Sequence, residues 1–132
     1  MVKAEAEVFD AQVALEEDGD PDRAERDAYQ AMLTAARALV RSEFIDVTTD
    51  PDQVVAEWKA RFFDTKRFFD RFSGGKFGQY LLDRHADPAP SGNPVTAAQR
   101  VEEAQLFIEA AHACDAKLEA EKTAIKVTAG SK

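Results

Sequence analysis

Ala4, Val8, Ala11 and Leu15 stand four, three and four residues apart, the spacing that lines one face of an α-helix. Ala28, Met32, Ala35 and Leu39 repeat those steps. A third stripe runs through Val55, Trp58, Phe62 and Phe69, widened by Val54, Phe63, Phe68 and Phe72. A fourth runs through Val101, Ala104, Ile108, Ala111 and Leu118, with Phe107 and Cys114 beside it. The period of two that strands need is absent over any useful length, and the valines and isoleucines sit on helical spacings. The chain therefore predicts an all-α fold, an antiparallel bundle of four to five helices, with Leu39, Phe62, Phe69 and Ile108 in its core.

The breaks between stripes carry helix punctuation. Asp18-Gly19 ends the first helix, because glycine accepts the left-handed conformation of many helix exits. Asp20-Pro21-Asp22 starts the second: Asp20 can cap free N–H groups, and a proline at the first helical position loses no hydrogen bond. Asp50-Pro51-Asp52 repeats that signal for a third helix, which Ser73-Gly74-Gly75 breaks or kinks. A short fourth helix is expected over Lys76 to His85. Pro88, Pro90, Gly92 and Pro94 mark an irregular connection, and Thr96 followed by Gln99 forms a capping box for a long final helix. The 132 residues suit one domain, read as 1–127 with a frayed tail at 128–132. The alanines at 24, 31, 36 and 38 would let a neighbouring helix approach closely.

Charge is unevenly spread. The chain carries −8 overall, which argues against DNA and against any partner held by bulk positive charge. Residues 1–30 hold three basic and ten acidic side chains. That acidic end reads either as a solvated helix face or as a surface for a basic partner. One cysteine excludes an internal disulfide, and with two histidines it cannot close a structural zinc site. No stretch approaches the roughly 18 apolar residues of a membrane span, so the reading is a cytoplasmic protein without membrane or cofactor.

The chemical candidates are few. Glu109-Ala110-Ala111-His112 is a Glu-x-x-His pair of the kind di-iron bundles use twice, but His85 has Leu82 three residues before it, which leaves half a motif. His112 and Cys114, two apart on a helix, point in different directions, so they form no nucleophile pair there, and Cys114 reads as a small core residue. His85, near a helix end, suits the helix dipole. Gly74, Gly75 and Lys76 open a helix and offer N–H groups and a cation to an anion, although Phe77 stands where a phosphate loop needs Ser or Thr.

Trp58 to Tyr80 is the most distinctive segment. It holds six of the nine phenylalanines and the only tryptophan. Lys59, Arg61, Lys66, Arg67, Arg71 and Lys76 face only Asp64 and Asp70 within it. Rings interleaved with cations suit a single-stranded nucleic-acid platform, or a core with a basic rim. The segment offers more apolar side chains than one small bundle can bury, which predicts a homodimer interface at Phe63, Arg67, Phe68, Arg71 and Phe72, with another domain or chain as the alternative partner. In a two-fold pairing Asp64 and Asp70 would have to answer the basic rim across the axis.

AERDAYQAMLTAARALV, from Ala24 to Val40, resembles the second helix of HEPN domains, and VEEAQLFIEAAHACDAKL, from Val101 to Leu118, is similar to their last long helix. RFFDTKRFFDRFSGGKFGQYLLDRH, from Arg61 to His85, resembles the C-terminal extension of some bacterial siroheme nitrite/sulfite reductases. The first resemblance implies a HEPN-like bundle that pairs with itself or binds a nucleotide or single-stranded RNA. The second implies an accessory domain whose redox centre lies on another part of a larger enzyme. The ribonuclease motif of many HEPN proteins, Arg then four to six residues then His, is absent: Gly78, Gln79 and Tyr80 precede His85 at that distance, and Gln105, Leu106 and Phe107 precede His112. The expectation is a non-catalytic interaction module, with nucleotide or RNA binding as the alternative.

Overall fold

A computed structural model describes residues 1–43 and 45–130, with side chains to Thr123. Five α-helices follow one another: α1 Val2–Glu16, α2 Pro21–Ser42, α3 Pro51–Trp58, α4 Lys76–Ala86 and α5 Pro94–Gly130. No strand forms among the described residues, and no helix there is long and apolar enough to cross a membrane. The fraying expected at 128–132 falls on Ser131 and Lys132, outside the described residues, and on a last turn whose side chains are also outside them.

The predicted cap forms at the second helix, while the third and the last helix start with other side chains. Asp20 accepts a hydrogen bond from the N–H of Arg23, with Pro21 in the first turn. At α3 the Asp50 side chain makes no cap bond. Instead Gln53 Oε1 accepts from both the N–H and the hydroxyl of Thr48, and Thr48 Oγ1 accepts from the N–H of Asp50. The final helix begins earlier than the Thr96–Gln99 box predicts. Asn93 Oδ1 accepts from the N–H of Val95 at 2.8 Å, so the Asn93-Pro94 pair starts α5 as Asp20-Pro21 starts α2. Gly19 exits α1 at φ +60°, as its sequence position predicts.

α2 is the central element, packed against α1, α3, α4 and α5. α1 and α2 both bury small residues, Ala4, Ala11 and Ala14 on one and Ala24, Ala28, Ala31 and Ala35 on the other, and small side chains let neighbouring helix axes approach closely. The bundle is antiparallel only in part. Glu5 faces His112 and Gln12 faces Gln105, so α1 and α5 run in opposite directions. Glu25 faces Arg100 and Ser42 faces Lys122, so α2 and α5 run the same way. Three helices in mutual contact cannot all be antiparallel, and the detour through α3 and α4 makes α2 and α5 the parallel pair.

The largest departure from the sequence reading lies after Trp58. A straight helix to Ser73 would bury Phe62 and Phe69, seven residues apart, on one face. The chain instead widens into a π-helical turn over Lys59–Phe63, closed by Asp64 N–H to the Lys59 carbonyl, and Lys66 then takes a left-handed φ of +62°. A left-handed non-glycine residue ends a helix. Phe62 stays in the core, Phe68 becomes its second anchor at 5% exposure, and Phe69 is turned out at 55%. The expected burial of Phe69 is thus corrected, as is the expected outward position of Phe68. Trp58, Phe68 and Phe107 form one aromatic cluster, with ring centroids 4.9 to 5.5 Å apart.

Gly78 lets α4 reach that cluster. A Cβ on it would lie 2.6 Å from one ring carbon of Phe63 and 3.1 Å from Trp58. Gly78→Ala is expected to destabilise the fold by about 1–3 kcal/mol despite the better helix propensity of alanine. Gly75→Ala, whose Cβ would meet Phe63 at 3.4 Å, is expected to cost less. Urea unfolding of the two variants side by side checks both.

Candidate functional site

The loop between the π-helical turn and α4 closes on itself. Asp70 N–H donates to the Gly74 carbonyl at 2.9 Å and Gly74 N–H returns to the Asp70 carbonyl at 2.8 Å. Inside this ring the Asp70 carboxylate accepts the N–H groups of Ser73 and Phe72. Those donors, Ser73 foremost, hold the Asp70 carboxyl below its ordinary pKa, because hydrogen bonds to the charged form favour it. Lys76 N–H bonds the Ser73 carbonyl. At the anion turn expected at Gly74, Gly75 and Lys76, the N–H groups of Gly74 and Lys76 are therefore directed to the chain's own carbonyls.

Closure of the loop pushes its rings outward. Phe72 is 89% exposed, and the guanidinium of Arg71 lies 5.5 Å from its ring centroid. Arg67 sits 5.9 Å from the Phe62 ring and pairs with Glu43. Of the five predicted interface residues, Phe72, Arg71 and Arg67 lie at the surface. Phe68 is core, and Phe63 is half-buried with its ring 5.6 Å from Trp58. Phe69, assigned to the core by its spacing, joins Phe72 outside.

Beneath the loop, against α5, is a cleft of about 130 Å³ lined by Phe68, Phe69, Phe77, Cys114, Arg67 and Lys117 among others. The Cys114 thiol lies 3.6 Å from the Arg67 carbonyl. Burial, followed by the charge of Asp115, pushes its pKa up to about 11 from an ordinary 9.0. Only the thiolate is a competent nucleophile. Alkylation by iodoacetamide at mildly alkaline pH is expected to run roughly 100-fold slower in the native protein than in urea, the ratio that two pKa units set.

A second polar cluster joins three helices. Tyr29 Oη lies 2.8 Å from His85 Nδ1, and His85 Nε2 lies 2.9 Å from Asp52 Oδ1. With its proton on Nε2, the imidazole donates to Asp52 and accepts from the Tyr29 hydroxyl. Burial first, and the Asp52 charge second, raise the Tyr29 pKa, so the phenol keeps its proton. The open cleft beside this relay is lined by Tyr29, Asp50, Pro51, Asp52, His85 and Pro88. The hydroxyl and the imidazole that face it are engaged with each other and with Asp52. The relay ties α4 to α2 and α3. Its sequence signal was weak, because a lone His, Tyr and Asp on three helices share no spacing.

His112 lies across the α1–α5 groove, 3.7 Å from Glu5, and its side chain is largely exposed. Among the described residues no group of three or more His, Cys, Asp and Glu side chains is placed to hold a metal. No family model, curated protein or solved structure matches the chain, so the two resemblances rest on the segments that carry them.

Proposed function

We propose that the chain is a non-catalytic interaction module of HEPN-like type that associates through the Arg67–Lys76 loop. The observation that carries this reading is Phe72, an aromatic ring 89% exposed at the tip of a closed, internally bonded loop and flanked by Arg71. A large ring on water is unfavourable by about 25 cal/mol per Å² of apolar surface, and a loop held this tightly presents it at little further entropic cost. Aromatic anchors beside arginine are the side chains most enriched at the energetic centres of interfaces. The nucleotide or RNA alternative draws on the same rings and cations. It has less support, since the Phe72 and Ser73 N–H groups that would greet a phosphate already bind Asp70. As an accessory domain of a larger reductase, the module would offer this same loop to the rest of the enzyme.

Sedimentation equilibrium over a rising concentration series tests the reading. The wild-type chain is expected to self-associate, and Phe72→Asp to remain a folded monomer with an unchanged far-UV spectrum. A wild-type monomer throughout, or a Phe72→Asp variant that associates like wild type, would overturn it.

A further inference from the structure

Between α1 and α5 runs a groove of about 520 Å³, floored by Val8 and Ile108, with Phe9 exposed by 62% along its wall. Glu5 and Glu109 line it, with His112 beside Glu5. The helical repeat continues that acidic edge: Glu16 shares the α1 stripe of Glu5 and Phe9, and Glu102 stands seven residues before Glu109. All four carboxylates are on exposed residues. A trough with an apolar floor, bridged by the Gln12–Gln105 hydrogen bond and edged by negative charge, is complementary to an aromatic knob edged by positive charge. The chain carries such a knob in its own loop, where Phe72 and Phe69 project beside exposed Arg71, Lys66 and Lys76.

Loop-to-loop pairing across a two-fold axis fits the charges less well. It would set the cations of one copy against those of the other, and the acids needed to answer them are engaged. Asp64 holds Lys59, and Asp70 caps its own loop. A copy cannot fill its own groove either. The groove uses Gln105, Ile108, Glu109 and His112 of α5, whereas the loop lies over Ala110, Cys114 and Lys117, roughly 140° further around the helix.

We infer that the α1–α5 groove receives the Phe72 loop of a second copy of this chain, head to tail; the inference rests on the self-association proposed above. A heterologous contact of this kind leaves one loop and one groove unfilled at the ends, so it extends to longer oligomers or closes into a ring. It also weakens with salt, since exposed opposite charges are screened.

Two variants with exposed substitutions test it: Phe72→Asp, which removes the knob, and Glu5→Lys with Glu109→Lys, which reverses the groove's edge. Each alone is expected to sediment as a monomer. Mixed in equal amounts, they are expected to form a one-to-one heterodimer and nothing larger, because one intact loop meets one intact groove. If the groove variant associates like wild type while Phe72→Asp does not, or if the mixture stays monomeric, the groove is the wrong receptor and the self-association reading stands. A wild-type chain that never associates removes both.

Discussion

Replacing Glu25 with alanine is expected to destabilise the protein by about 1–3 kcal/mol, the cost of taking the shared acceptor from the mostly covered Arg100 guanidinium and from Ser91. Glu25 is the one charged residue among the described residues that is buried. One of its oxygens meets the guanidinium of Arg100, and the other accepts the N–H of Ser91 at 2.9 Å and its hydroxyl at 2.8 Å. Arg100 also donates to the Ala89 carbonyl. Glu25 therefore fixes the connection between α4 and α5 to the first turns of α2. Its loss leaves the Arg100 guanidinium with the Ala89 carbonyl alone and releases Ser91 in the proline-rich segment that leads into α5. Glu25→Gln keeps the shape and one acceptor oxygen, so it is expected to cost less. Glu25→Leu combined with Arg100→Met is expected to recover much of the loss, because a well-packed apolar pair avoids desolvation. Urea midpoints of the three variants, with unchanged slopes, measure the effect.

The pair was hidden because its partners lie 75 residues apart and each looks ordinary in place. Glu25 sits in a run of charged residues at the start of an amphipathic helix, where a carboxylate is expected at the surface. The apolar stripes were readable for the opposite reason. Ala28, Met32, Ala35 and Leu39 are all buried, as are Val101, Ala104, Ile108, Ala111 and Leu118. Their periodicity is local, and regular helices preserve it. Helix order and the helix starts at Pro21 and Pro51 were legible on the same basis. The parallel course of α2 and α5 was not, because it follows from how many helices meet and not from any one of them. The same limit applied to the candidate surfaces. A crowded aromatic segment indicated that some rings stay outside, but which ones depended on a π-helical turn and on Lys66 at positive φ, and neither has a reliable residue signature. The Tyr29–His85–Asp52 relay and the α1–α5 groove each need the packed helices before their members share a neighbourhood.

That change of register sets the second large expectation. Phe62→Ala is expected to cost about 3–5 kcal/mol, as full truncation of a packed phenylalanine does, while Phe69→Ala is expected to stay within about 0.5 kcal/mol, as surface substitutions do. On an unbroken helix the two would sit one above the other, two turns apart, and would cost similar amounts. In the folded chain Phe62 is fully buried and Phe69 is mostly on water, with its former role taken by Phe68, whose ring stacks on Phe107 at 4.9 Å. Phe68→Ala is therefore expected to behave like Phe62→Ala. Denaturant unfolding of the three single variants reads this directly. A large loss at Phe69 with a small one at Phe68 would restore the continuous helix and retract the exposed loop. An intact loop with Phe62 and Phe68 both costly means that the chain gives up a regular helix here to carry two rings into the core and leave two, Phe69 and Phe72, at the surface.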